Sequence, residues 1–160
     1  EDYGNYYAWG ETSTKSTYYN NNSKTYGKRM NDIKGNSQYD AARANWGGTW
    51  RLPTKAELEE LKNKCTWRWT AQNGVKGCQV IGPNGNSIFL PAAGFRNGSS
   101  LSAVGSEGHY WSSTQSRPLF DDPLFDGMGM AECVTFISVG LTRSQFIKDE
   151  DGLSVRLVSE

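Results

Sequence analysis

The chain has 160 residues, 36% of them hydrophobic and 12% aromatic, with 17 Lys/Arg against 17 Asp/Glu. That is one domain's length with enough aromatic mass for a core, and the balance of charge gives no global sign of a nucleic-acid or membrane-surface protein. No apolar run is long enough to cross a bilayer, which argues against a membrane span in this segment.

Residues 1–40 are polar and aromatic without a sustained period, and read as a short strand near Tyr6–Trp9 followed by a long surface loop. Tyr39–Asn45 reads as a short helix that Asp40 caps or starts, ending at Trp46-Gly47-Gly48. Trp50–Pro53 is a brief extended piece, because the residue before proline avoids the helical region. Thr54 then opens a helix over 55–64, with Glu57 at the capping-box position and Leu58 and Leu61 on its apolar side.

From Cys65 the period changes to two. Trp67 and Trp69 alternate with Thr66, Arg68 and Thr70 in a half-buried strand. Asn73-Gly74 signals a hairpin whose return strand is Cys78–Ile81, and Pro83-Asn84-Gly85 turns the chain into Ile88–Leu90. Gly98–Gly108 reads as a small-residue loop leading to His109–Thr114. Residues 115–130 form a long loop with apolar Phe120 and Phe125 among acidic neighbours. Val134 and Phe136 mark one strand, and Leu153, Val155 and Leu157 another. The sum is an α+β fold, with one or two short helices and a small, twisted, mostly antiparallel sheet with long loops. Trp46, Trp50, Leu52, Trp67, Trp69, Phe89, Trp111, Val155 and Leu157 are its expected core.

Chemical motifs are sparse. His109 is the single histidine and reads as structural or superficial, since a general base needs a positioned partner. Cys65, Cys78 and Cys133 lack the paired spacing of a zinc site. Cys65 and Cys78 lie on neighbouring pieces of one hairpin, which leaves open either a disulfide, if the domain is extracytoplasmic, or buried thiols. The acidic runs Asp121-Asp122 and Asp149-Glu150-Asp151 lack EF-hand spacing and read as solvated loops. No catalytic residue, metal site or cofactor is expected.

Residue types are distributed unevenly. Residues 1–111 carry 13 Lys/Arg and 9 Asp/Glu, whereas 112–160 carry 4 and 8. All six Trp lie at or before Trp111 and all twelve Asn at or before Asn97.

An ordered series of motifs resembles a known family. It runs from Ala41–Thr54 (AARANWGGTWRLPT) through Cys65-Thr66-Trp67, Gly82-Pro83-Asn84-Gly85 and Leu90–Gly94 to Tyr110–Ser113 and Ser154–Val158. The family is the Fibrobacter succinogenes major paralogous domain, common in Bacteroides-like gut bacteria and their phages. The resemblance implies a C-type-lectin-like fold, related in outline to the formylglycine-generating enzymes. Those oxidases use a pair of cysteines in the C-terminal half, where this chain has only Cys133. It also implies a cause for the Asn distribution. In some members of this fold a diversity-generating retroelement rewrites adenines in the C-terminal coding region, and the altered side chains form a ligand-binding surface. Met128, Met130, Glu132, Gln145, Lys148 and Glu150 do not arise from Asn codons by that route, so either those positions are other template codons or the chain is a diverged paralogue.

The expectation is therefore a non-enzymatic recognition domain, extracytoplasmic or on a phage particle, that binds a protein or cell-surface ligand. The chain opens on Glu1, so a trimmed segment is expected, with any signal peptide upstream. Residues 1–111 are the scaffold, and 112–160 the candidate variable region ending in a scaffold strand. Alternation in the strand near Glu132 leaves Thr135 and Ile137 on the face opposite Val134 and Phe136. Arg143, Gln145, Phe146 and Lys148 follow in a stretch without a period that would bury them. With loop residues Phe120 and Phe125, these are expected to line one solvent-facing patch. The alternatives are an oxidase relative of the formylglycine-generating enzymes and a glycan-binding lectin, although the calcium-dependent sugar triplets are missing.

Overall fold

The computed structural model describes residues 2–116 and 129–160. Among the described residues two short helices and ten short strands make a mixed α+β fold with several small antiparallel sheets. Helix α1 (Ala41–Trp46) starts where Asp40 accepts hydrogen bonds from the N–H groups of Ala42 and Arg43, and closes at Gly47, whose φ of 66° few other residues adopt. Strand β1 (Trp50–Arg51) leads into helix α2 (Lys55–Lys64), which opens on a complete capping box between Thr54 and Glu57.

The next sheet joins β2 (Thr66–Gln72), β3 (Val75–Ile81) and β4 (Ser87–Pro91). The return strand starts at Val75, not Cys78. Asn73 (φ 51°) and Gly74 (φ 81°) close a two-residue turn with Gln72 opposite Val75. Gly98–Gly108, read as a plain loop, instead holds most of a small hairpin of β5 (Phe95–Asn97) and β6 (Ser100–Ser102). A third sheet orders β7 (Glu107–Gln115), β8 (Met130–Ile137) and β9 (Thr142–Lys148). Strand β10 (Val158–Ser159) returns to pair with β1. The expected strand around Leu153–Leu157 is reduced to isolated bridges, Leu153 with Tyr7 and Ser154 with Tyr110.

Strand β8 is the middle of its sheet and is covered on both faces. Val134 and Phe136 pack with Tyr110, Leu58, Val80 and Leu90. Ala131 and Cys133 pack with Trp9, Ile33, Leu52, Trp111 and Leu153. Residues on both sides of position 111 thus share one interior. The expected core is corrected in two places, for Trp46 and Trp50 are 51% and 42% exposed. Trp46 ends the short helix α1, and Trp50 lies on a two-residue strand with its burial alternating outward. Leu52 and Trp111 are buried. Trp67 and Trp69 are half-buried against the ring of Phe136, and Phe89, Val155 and Leu157 are half-buried too.

The N-terminal forty residues are not a surface loop throughout. Tyr6–Trp9, Tyr18 and Ile33 are buried. The polar tips of their aromatic side chains are satisfied by backbone carbonyls, Tyr6 Oη by Ala93 at 2.6 Å and Tyr18 Oη by Tyr6 at 2.8 Å. Buried aromatics of this kind need a partner and no periodicity.

Candidate functional site

Among the described residues strand β9 pairs only with β8 and is a free edge of the β7–β8–β9 sheet, and the β8–β9 turn lies at its start. Of the large apolar side chains that are exposed among the described residues, three belong to this short stretch: Val139 (74%), Leu141 (48%) and Phe146 (52%). Arg143 and Lys148 are exposed on the same strand. Exposed apolar groups beside cations on a sheet edge form a surface suited to a partner, because among the described residues neither the apolar area nor the edge hydrogen bonds are used internally.

The register decides which of the expected site residues meet. Directly opposed residues of an antiparallel pair point to the same face. Thr135 faces Arg143 and Cys133 faces Gln145, whereas Glu132 faces Phe146 and Met130 faces Lys148. Ile137, Arg143 and Gln145 therefore share the face of Thr135, and Phe146 and Lys148 lie on the other. The expected single patch is corrected accordingly. Thr135 is itself buried, because β7 and β9 flank it and its face is packed under the N-terminal segment; Ile137 and Gln145 are half-buried. Phe120 and Phe125 lie outside the described residues.

Helix α2 lies along the Phe146 face. Lys62 Nζ donates to Ser144 Oγ at 3.0 Å, and Lys55 Nζ meets Glu132 Oε1 at 3.0 Å. Phe146 is opposite Glu132, so an exposed ring stands in a frame of charged side chains. Apolar anchors with a charged rim are the ordinary build of a recognition surface. Sequence reading missed the strand itself. Its signal was the alternation of Thr142, Ser144 and Phe146 with Arg143, Gln145 and Ile147, muted because an edge strand buries none of its residues completely.

Other reactive groups are committed to the interior. His109 is buried, with Nε2 2.8 Å from Glu107 Oε2, and burial lowers its pKa although Glu107 opposes the shift. The three cysteines are free thiols, so the hairpin is not stapled, and Cys78 faces Trp69 rather than Cys65. Burial pushes the Cys78 thiol up to about 11 and Cys133 up to about 12, far from the thiolate form at neutral pH. The run Asp149–Asp151 is not a solvated loop. Asp149 is fully buried and Asp151 nearly so, because this segment enters the core between β9 and Leu153. Among the described residues no cluster of three or more His, Cys, Asp or Glu is placed to hold a metal ion, and no helix is long and apolar enough to cross a membrane.

Compared with protein-family models, with characterised proteins and with solved structures, the chain shows no match.

Proposed function

We propose that this is a non-enzymatic recognition domain of the C-type-lectin-like kind, presenting its C-terminal region to a protein or cell-surface ligand. The observation that carries the reading is the edge strand β9 with its turn, where Val139, Leu141 and Phe146 stay exposed beside Arg143 and Lys148. The same sheet buries Val134 and Phe136 on one face and Cys133 on the other, with Ile147 of β9 packed beside Cys133, so the exposed positions of the edge can change without disturbing the packing. The motif series from Ala41 to Val158 supports the fold assignment and a place on a cell surface or a phage particle. The absence of Asn after Asn97 supports a history of adenine rewriting. The inert environment of Cys133 weighs against the oxidase alternative.

Three experiments test this reading. The DNA around the gene should carry a reverse transcriptase and a near-copy of the 3′ coding region differing at adenines; a locus without either removes the retroelement account. Steady-state turnover of a thiol peptide, abolished by Cys133→Ser, would overturn the recognition reading in favour of the oxidase. Binding on a sugar array that disappears with chelator would favour the calcium-dependent lectin.

A further inference from the structure

The outer face of the β2–β3–β4 sheet carries a groove of about 690 Å³, inside the range of roughly 300–1,000 Å³ usual for ligand sites. Trp67 and Trp69 leave the inner face of this sheet to meet Phe136, so the groove faces away from the core. Alternation puts Thr70, Gln79 and Phe89 on the outer face, with Gln79 directly opposite Phe89. A second hollow of about 160 Å³ adjoins it, and Asp2, Phe89, Pro91 and Arg156 line both.

One feature marks this as more than a crease. Gly77 is buried in the sheet floor, and a Cβ there would fall 2.8 Å from Phe89 Cζ. The missing side chain lets the Phe89 ring lean across β3, as a low aromatic platform with polar neighbours.

We propose that this groove binds a neutral oligosaccharide. Sugar rings offer apolar C–H faces that lie on an aromatic ring, and hydroxyls that both donate and accept. The platform is Phe89, and the Thr70 hydroxyl and the Gln79 amide, whose Nε2 also donates to Ser87 Oγ at 3.2 Å, match the second need. The groove has one carboxylate, Asp2, and one guanidinium, Arg156, so its lining carries no net charge and favours an uncharged ligand over a polyanion. With a single carboxylate in the lining, binding needs no calcium. This site lies on a different sheet from β9, so it stands or falls independently of the protein-ligand reading.

The test is amide chemical-shift titration of the intact domain with maltohexaose, cellohexaose, laminarihexaose and mannohexaose, and with a polygalacturonate oligomer as the charged comparison. The expected result is that at least one neutral hexasaccharide shifts the amides of Gly77, Gln79 and Phe89 saturably at about 10 mM, with chelator present. Gln79→Ala and Phe89→Ala should each weaken that binding about tenfold or more, whereas Phe146→Ala should leave it unchanged. Gln79 is a partly exposed polar residue, so its variant keeps the fold even if Phe89→Ala does not. The proposal is overturned if none of the four neutral sugars moves these amides. It is equally overturned if only the polygalacturonate does, if chelator abolishes the shifts, or if Gln79→Ala binds like the parent.

Discussion

The indole N–H of Trp111 donates to the carbonyl of Tyr7 at 2.8 Å, across 104 positions of sequence. The Trp9 indole returns the tie, donating to the Ser112 carbonyl at 2.9 Å. The Tyr7 carbonyl also accepts the N–H of Leu153 at 3.0 Å, so three distant segments meet at one backbone oxygen. The N-terminal stretch is held as firmly as a core strand without pairing as one.

That joint is testable. Trp111→Ala should destabilise the domain by about 3–5 kcal/mol through lost volume. Trp111→Phe should cost about 1–3 kcal/mol, since the Tyr7 carbonyl keeps its bond from Leu153. Urea denaturation followed by far-ultraviolet circular dichroism reads both values. A Trp111→Ala variant as stable as the parent would mean that this contact does not organise the core.

Asp40 is a second hub, wholly buried, and its carboxylate accepts from the N–H groups of Gly35, Ala42, Arg43 and Leu52 at 2.7–3.2 Å. Helix capping is worth about 1 kcal/mol, but Asp40→Ala strands four donors instead of one or two. Its destabilisation should exceed about 2 kcal/mol, and Asp40→Asn should fall between that variant and the parent. Equal stability of Asp40→Ala and the parent in the same denaturation assay would refute the hub.

These two hubs show what a sequence discloses. Asp40 at a helix start, Thr54 with Glu57, and Asn73-Gly74 were legible because each acts within a few residues of itself. The pairing of Tyr7 with Leu153 and the indole bond from Trp111 to Tyr7 join segments more than a hundred residues apart, and no local pattern encodes them. Trp46 and Trp50 misled for the opposite reason. Tryptophan is usually well buried, but these two sit on elements too short to bring a second layer over them. In β8 the alternation correctly found Val134 and Phe136. It could not reveal that Cys133 and Thr135 are covered too, because a second layer on the far face is a property of the N-terminal segment. The Phe89 groove was invisible in sequence because it depends on Gly77, two positions from the opposed residue, leaving room beneath a ring.

The salt bridge of Arg51 with Glu57 sets the acid limb of stability. Both guanidinium Nη atoms meet the carboxylate, at 2.8 and 2.9 Å, while Glu57 also accepts the Thr54 N–H. The hydrogen bonds from Arg51 lower the Glu57 pKa from 4.5 to about 2. A lowered carboxyl stabilises the fold above its unfolded value, and that contribution is lost as pH falls from 4.5 towards 2. Glu57 is 40% exposed on its side chain, so solvent reduces the effect to about 1 kcal/mol. Glu57→Gln should therefore lower the melting temperature at pH 7 and lose most of that difference at pH 2. A difference independent of pH would place its origin in packing.

Asp149 should act in the opposite direction. Its carboxyl is fully buried, and a side chain at Gly129 would collide with it. Burial, reinforced by the neighbouring Glu150 carboxylate, raises its pKa from 3.8 to about 7, and burial raises Asp151 to about 6 against the pull of the Asn97 amide. In the unfolded chain both groups ionise near 3.8, while in the fold they hold their protons longer. The folded state then binds more protons between these values, and its stability falls as pH rises from about 4 to about 7. Asp149→Asn removes the ionisation and keeps the shape. It should leave stability near the parent's at pH 4 and raise it by about 2–4 kcal/mol at pH 8, which thermal melts at the two pH values would measure. A gain of equal size at both pH values, or none at pH 8, would mean that Asp149 ionises freely in the folded protein.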